Sequence, residues 1–135
     1  MTTFVPYASV VSVAMSGAEY LLKVKFEPLV FRTGEVVLTE DNQQYLAELV
    51  LLMKDKPELL LKTCAIGTYA DLSVPAATVL NADQQVSLKA MGSERQDNLK
   101  RYLIKQGIAS SRILYCAPEL DTAEDAQARI ELKTD

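Results

Sequence analysis

The stretch MGSERQDNLKRYLIKQGI, residues 91–108, is the most informative part of the sequence, because its apolar side chains recur with the period of a helix. Five residues at steps of three or four positions share one helix face: Leu88, Met91, Arg95, Leu99 and Tyr102. Arg95 therefore lies among apolar neighbours. Either its stem packs while the guanidinium reaches solvent, or the guanidinium holds an anionic group in a pocket.

The pattern on both sides of this stretch predicts two helices and four strands. A first helix over residues 40–54 has Thr39 as its N-cap, and a second over residues 83–106 ends at Gly107, with a start or bend near Gly92. The predicted strands cover residues 22–31, 59–66, 113–116 and 128–132, and Gly67 ends the second strand. Residues 68–82 form a long connection that holds a short helical turn, and residues 118–126 an acidic loop. The order β-α-β-α-β-β indicates an α+β two-layer sandwich.

Length and composition indicate one ordinary globular domain. The chain has 135 residues, of which 49% are hydrophobic and 24% charged, so a single core is expected. We predict an N-terminal approach segment over residues 1–17 and a single domain over residues 18–135. The longest apolar runs, such as residues 10–15, are too short to cross a bilayer.

Charge and residue usage exclude several classes of function. The net charge is −4 and the basic residues are scattered, which argues against nucleic acid as a partner. The sequence has no histidine, and therefore lacks the usual general base and the commonest metal ligand. Cys64 and Cys116 have no metal-ligand spacing and are either two buried thiols or one disulfide. We predict no enzymatic activity, no cofactor and no metal, because the sequence supplies no set of residues from which an enzymatic or small-ligand site could be built.

Three pieces of sequence in this order resemble the OmpA-like domain, a module with which Gram-negative envelope proteins hold peptidoglycan. The pieces are FRTGEVVLTEDNQQYLAELVLLMKDKPELLLK (residues 31–62), SERQDNLKRYLIKQGIASSRI (residues 93–113) and ARIEL (residues 128–132). The likeness covers residues 26–132. It implies one mixed four-stranded sheet in the order 1-4-2-3, with both helices on one face.

The resemblance also implies a ligand site. In that family an arginine of the second helix and an aspartate just after the second strand grip the diaminopimelate of the peptide stem, which carries carboxylate and ammonium groups. The arginine falls on Arg95. Counting without gaps from Pro57 places Thr68 at the aspartate position, and Asp71 substitutes for the aspartate only if the loop folds back. Arg95, Asp71 and Thr68 are therefore the candidate ligand-binding residues.

The two cysteines, together with the loss of the aspartate from its expected position, are similar to features of a subgroup, the C-terminal domain of large AsmA-like envelope proteins. Such proteins are periplasmic and reach the inner membrane only through an anchor far upstream. The resemblance places KTCAIG and ILYCAPE on neighbouring strands and so implies a disulfide between Cys64 and Cys116. It implies a non-catalytic periplasmic module with a degenerate peptidoglycan site, in contact with another envelope protein. The alternative is a genuine peptidoglycan anchor.

Overall fold

The computed structural model describes residues 26–134. The predicted approach segment, residues 1–17, the domain boundary at residue 18 and residues 22–25 of the first predicted strand lie outside the described residues. Within the described part the chain builds one sheet and two long helices, in the predicted α+β arrangement.

The first helix, α1, covers Glu40–Asp55 and confirms the predicted N-cap. The Thr39 side chain accepts a hydrogen bond from the backbone N–H of Asn42, and the Asn42 side chain accepts one from the backbone N–H of Thr39. This reciprocal capping box satisfies N–H groups that have no partner inside the helix. It fixes where α1 begins, and therefore where the preceding loop must end.

The second helix, α2, covers Ala82–Lys105, and Gly107 ends it at a φ of +99° as predicted. The late start expected near Gly92 is wrong, because α2 begins at Ala82 and runs through Gly92 without a break. Gly92 is buried where the helix passes over its neighbours. A Cβ atom at this position would lie 2.7 Å from Cβ of Pro118 and 3.2 Å from Cβ of Ala65. Glycine therefore serves close packing at this point.

Replacing Gly92 with alanine is expected to destabilise the domain, although alanine stabilises a helix by about 1 kcal/mol relative to glycine. The added methyl group overlaps Pro118, and overpacking of a core costs about 1–3 kcal/mol. Urea unfolding of Gly92→Ala and of the exposed control Ser87→Ala measures the difference. An unfolding free energy of Gly92→Ala above that of the control would contradict the close approach.

The sheet contains five strands: β1 (Leu29–Val30), β2 (Leu61–Thr68), β3 (Ile113–Tyr115), β4 (Glu119–Asp121) and β5 (Arg129–Thr134). Four of these strands lie in the order β1-β5-β2-β3. This is the expected order 1-4-2-3, because the fourth predicted strand is β5 in the structure. Strand β2 is parallel to β3 and antiparallel to β5. The mixed sheet is therefore confirmed.

The fifth strand, β4, corrects two predictions. It lies within the predicted acidic loop and pairs in parallel with residues 66–68 of β2. Gly67 consequently does not end the second strand, because β4 gives the backbone of these residues a partner and β2 continues to Thr68. This extension carries β2 up to the loop that holds the candidate site.

The core lies between one face of the sheet and both helices. Alternate residues of the two central strands, among them Ala65 and Ile130, face this core and pair directly across the sheet. The other face carries partly exposed polar residues, including Lys62 and Glu131. The core residues of the helices and central strands are Leu46, Leu49, Val50, Leu52, Met53, Leu61, Ala65, Leu99, Leu103, Ile130 and Leu132.

Cys64 and Cys116 form a disulfide, as the resemblance implied. Cys64 lies in β2, and Cys116 directly follows β3, the parallel neighbour of β2. The backbone N–H of Cys116 donates to the carbonyl of Thr63 at 2.8 Å, and Gln96 of α2 donates its side-chain amide to the carbonyls of Thr63 and Cys116. The disulfide therefore joins two strands that α2 also connects.

Candidate functional site

Arg95 lies in the middle of α2, and its side chain is 1% exposed. The buried face of the helix is turned slightly from the predicted one, so that Met91 and Tyr102 are only half-buried. The fully buried residues on this face are Leu88, Gly92, Arg95, Gln96, Leu99 and Leu103. The interpretation in which the guanidinium reaches solvent is therefore wrong, and the guanidinium must find its partners inside the protein.

Asp71 supplies the anionic partner of Arg95. Nη1 of Arg95 donates to Oδ2 of Asp71 at 3.0 Å, and Nη2 donates to Oδ1 at 2.9 Å. This is the two-pronged geometry that a guanidinium and a carboxylate favour. The Asp71 side chain is 0% exposed. Two of the three candidate residues thus form one buried ion pair.

Thr68, the third candidate residue, shapes the turn that carries Asp71. Strand β2 ends at Thr68, and a 3-10 turn follows over Ala70–Leu72, which confirms the short helical turn predicted in this connection. The backbone N–H of Thr68 donates to Oδ2 of Asp71 at 3.1 Å, and the backbone N–H of Asp71 donates to Oγ1 of Thr68 at 3.2 Å. These two bonds close the turn after β2 and fold Asp71 back toward the end of the strand. Thr68 therefore positions Asp71.

The segment of residues 32–36, between β1 and α1, lies over the ion pair, and we call it the strap. The backbone N–H of Gly34 donates to Oδ1 of Asp71 at 2.7 Å. Nε of Arg95 donates to the carbonyl of Glu35 at 2.8 Å. The Asn98 side chain, one turn further along α2, donates to the carbonyl of Val36 at 2.8 Å. Three bonds therefore fix the strap to the pair and to α2.

Phe31, which precedes the strap, closes another side of the pair. The guanidinium carbon of Arg95 lies 5.2 Å from the centre of the Phe31 ring, a distance at which a cation and an aromatic face attract each other. Phe31 itself is 3% exposed. The positive charge is thus enclosed by an aromatic ring, a carbonyl and a carboxylate.

Opposing effects act on the pKa of Asp71. Burial raises the pKa, but hydrogen bonds from Arg95, Gly34 and Thr68, together with the positive charge of Arg95, outweigh burial and lower it below its usual value. The carboxylate is therefore ionised at neutral pH. The pair is an ion pair, not two neutral groups.

This depressed pKa predicts an acid-sensitive stability. Because the folded protein binds the Asp71 proton less readily than the unfolded chain does, the stabilisation is complete above the unfolded pKa of about 4 and is lost as the pH falls toward the folded pKa. We expect the unfolding free energy, measured with urea between pH 3 and pH 6, to fall below about pH 4. Asp71→Asn cannot titrate at this position and should show a shallower fall. An equal fall in both proteins would contradict the prediction.

Other kinds of site are not found among the described residues. Within residues 26–134 no three His, Cys, Asp or Glu side chains are grouped as a metal site would need. No helix in this range is both long and apolar enough to span a bilayer. A groove of about 480 Å³ lies beside the first turn of α1, where Arg32 and Asp41 are among its lining residues. Neither Arg95 nor Asp71 lines this groove.

Comparison with known proteins finds likeness in structure alone. No protein-family model matches the sequence, and no curated protein matches it. The OmpA-like domain of FopA1 from Francisella tularensis subsp. tularensis SCHU S4 superimposes with a TM-score of 0.59 at 13% identity, over 83% of this chain and 75% of that one. The fold is OmpA-like.

Two further solved structures share this OmpA-like fold. A MotB-like protein from Desulfovibrio vulgaris has a TM-score of 0.55 at 18% identity, over 83% of this chain and 74% of that one. The C-terminal domain of Helicobacter pylori MotB has a TM-score of 0.58 at 12% identity, over 82% of this chain and 84% of that one. At such identities the likeness establishes the OmpA-like fold and leaves the function to be argued from the site.

Sequence reasoning found the two side chains of the pair but not the groups that enclose them. Gly34 and Glu35 act through backbone atoms, which no residue pattern marks as partners of Arg95 or Asp71. Asn98 had a usable signal, since it is a polar residue three positions after Arg95 on the same helix. In this structure that spacing brings the side-chain amide of Asn98 to the strap.

Proposed function

We propose that this chain is a non-catalytic periplasmic module of a larger envelope protein, in which a degenerate peptidoglycan site has become a structural cross-link. The module works through contact with another envelope protein. The single observation that carries the proposal is the enclosure of Arg95 and Asp71, whose side chains are 1% and 0% exposed.

The hydrogen bonds of Asp71 support this proposal. Each carboxylate oxygen accepts two hydrogen bonds, Oδ1 from Gly34 and Arg95, and Oδ2 from Thr68 and Arg95. An ionised carboxylate offers about four such positions, so none is left for an ammonium group of a ligand. A ligand that used this carboxylate would first have to break a bond made within the protein.

The disulfide supports the periplasmic part of the proposal. Disulfides persist in oxidising compartments such as the bacterial periplasm and are rare in the cytosol. Cys64 is 5% exposed and lies in the central strand β2, where the bond braces the sheet. The likeness of KTCAIG and ILYCAPE to AsmA-like envelope proteins further supports a parent anchored in the inner membrane.

A sedimentation assay with purified sacculi tests the proposal. We expect the wild-type domain to stay in the supernatant, as a globular protein without wall affinity does. Its Tm should stay constant in millimolar diaminopimelate-containing stem peptide, because a ligand that bound the folded state would raise the Tm. Retention that free stem peptide abolishes would overturn the proposal and establish the alternative, a peptidoglycan anchor. Competition by free peptide is preferable to Arg95→Ala, since loss of a buried charge also destabilises the fold.

A further inference from the structure

The strap presents two backbone groups of opposite character to the ion pair. The carbonyl of Glu35 accepts from Nε of Arg95 at 2.8 Å, while the N–H of Gly34 donates to Asp71 at 2.7 Å. An external molecule would need the same two groups, an acceptor for the guanidinium and a donor for the carboxylate. The strap therefore satisfies the pair in the way that a bound zwitterion or peptide backbone would.

The strap has little apolar anchoring of its own. Arg32, Thr33, Gly34 and Glu35 are exposed, and Val36 is only half-buried. Strong anchors occur outside it, at Phe31 on one side and at the half-buried Leu38, which packs against the core, on the other. Segments with few buried apolar contacts open at low free-energy cost while the rest of the fold stays intact.

The backbone of the strap makes a tight turn at Gly34. The N–H of Glu35 donates to the carbonyl of Arg32 at 3.0 Å, and Gly34 within this turn has a φ of +73°. No heavy atom lies within 4 Å of the place where a Cβ of Gly34 would be. The turn is therefore not packed against a neighbour at Gly34.

We propose that the strap is an internal ligand of Arg95 and Asp71, and that strap opening controls whether the pair can take an external group carrying both a carboxylate and an ammonium. This inference rests on the proposed function, since it explains how the site is closed. The bond from Asn98 to Val36 ties the strap to α2 without using either member of the pair. It therefore holds the strap when a competitor occupies the pair.

Amide hydrogen exchange of the intact domain tests the opening. The Gly34 amide is expected to exchange through a local event that is independent of denaturant, much faster than core amides of α2 such as that of Leu99. Asn98→Ala should speed exchange at Gly34 by about fivefold, the factor that corresponds to one ordinary hydrogen bond. Exchange of Gly34 only together with Leu99, on global unfolding, would overturn the proposal.

Binding of the probe separates this inference from the proposed function. The control is Arg101→Ala, which removes a hydrogen bond to Oδ1 of Asn98 but leaves the amide bond to Val36 in place. Stem peptide containing diaminopimelate, used above the millimolar range, should raise the Tm of Asn98→Ala at about one fifth of the concentration that Arg101→Ala needs, because apparent affinity follows the open fraction. Equal binding by the two variants would overturn the strap proposal. Retention of the wild-type domain on sacculi would overturn the proposed function alone.

Discussion

Replacing Asp71 with alanine should lower the free energy of unfolding by about 3–5 kcal/mol, because the substitution leaves Arg95 as an uncompensated buried charge. The same change also removes the acceptor of the Gly34 and Thr68 N–H groups, and therefore loosens two loops. Urea unfolding at neutral pH, under oxidising conditions, measures the loss. We expect this to be the largest effect of any single substitution in the site.

An exposed ion pair and a double replacement provide the controls for this prediction. Asp121 pairs with Arg129 at 3.0 Å, with side chains 27% and 22% exposed, so Asp121→Ala should cost much less than Asp71→Ala. Replacing Arg95 by Met together with Asp71 by Leu should restore much of the stability lost in Asp71→Ala, since apolar residues of similar volume tolerate this environment. If Asp71→Ala cost no more than Asp121→Ala, the pair would not be the buried cross-link that we describe.

Removing the disulfide should have the second large effect. The bond closes a loop with a sequence separation of 52, and in the chain-entropy model a loop of this length is worth about 4 kcal/mol. Reduced wild-type protein and the double variant Cys64→Ala, Cys116→Ala are both expected to unfold at lower urea concentration than oxidised protein. The reduced protein matches the oxidised one in every side chain and so isolates the bond itself.

Mass measurement checks the bond directly. Oxidised protein should weigh two hydrogens less than reduced protein and should resist alkylation until a reductant is added. Two thiols that alkylate freely in material exported to the periplasm would contradict the disulfide. If the reduced thiols were alkylated and the urea midpoint still did not change, the stability of the sheet would not depend on the disulfide.

The long elements of the fold could be predicted from the sequence because their signals are local. Thr39 and Gly107 mark helix ends through backbone groups a few residues away, and the apolar spacing in residues 91–108 repeats over several turns. Strand β4 could not be predicted, since three residues of an acidic loop become a strand only when β2 offers its edge. The continuity of α2 through Gly92 also depends on distant contacts, with Pro118 and Ala65.

In the candidate site, too, some features follow from local sequence signals and others depend on distant contacts. The position of Arg95 on the apolar face of a helix follows from the sequence alone, since helical periodicity is a property of the nearest turns. The partners of Arg95 depend on long-range folding: they are Asp71, folded back from the end of β2, and the backbone of the strap 60 positions earlier in the chain. A guanidinium can be buried only where it finds hydrogen-bond and ionic partners. In this chain those partners come into place only through contacts between residues far apart in the sequence.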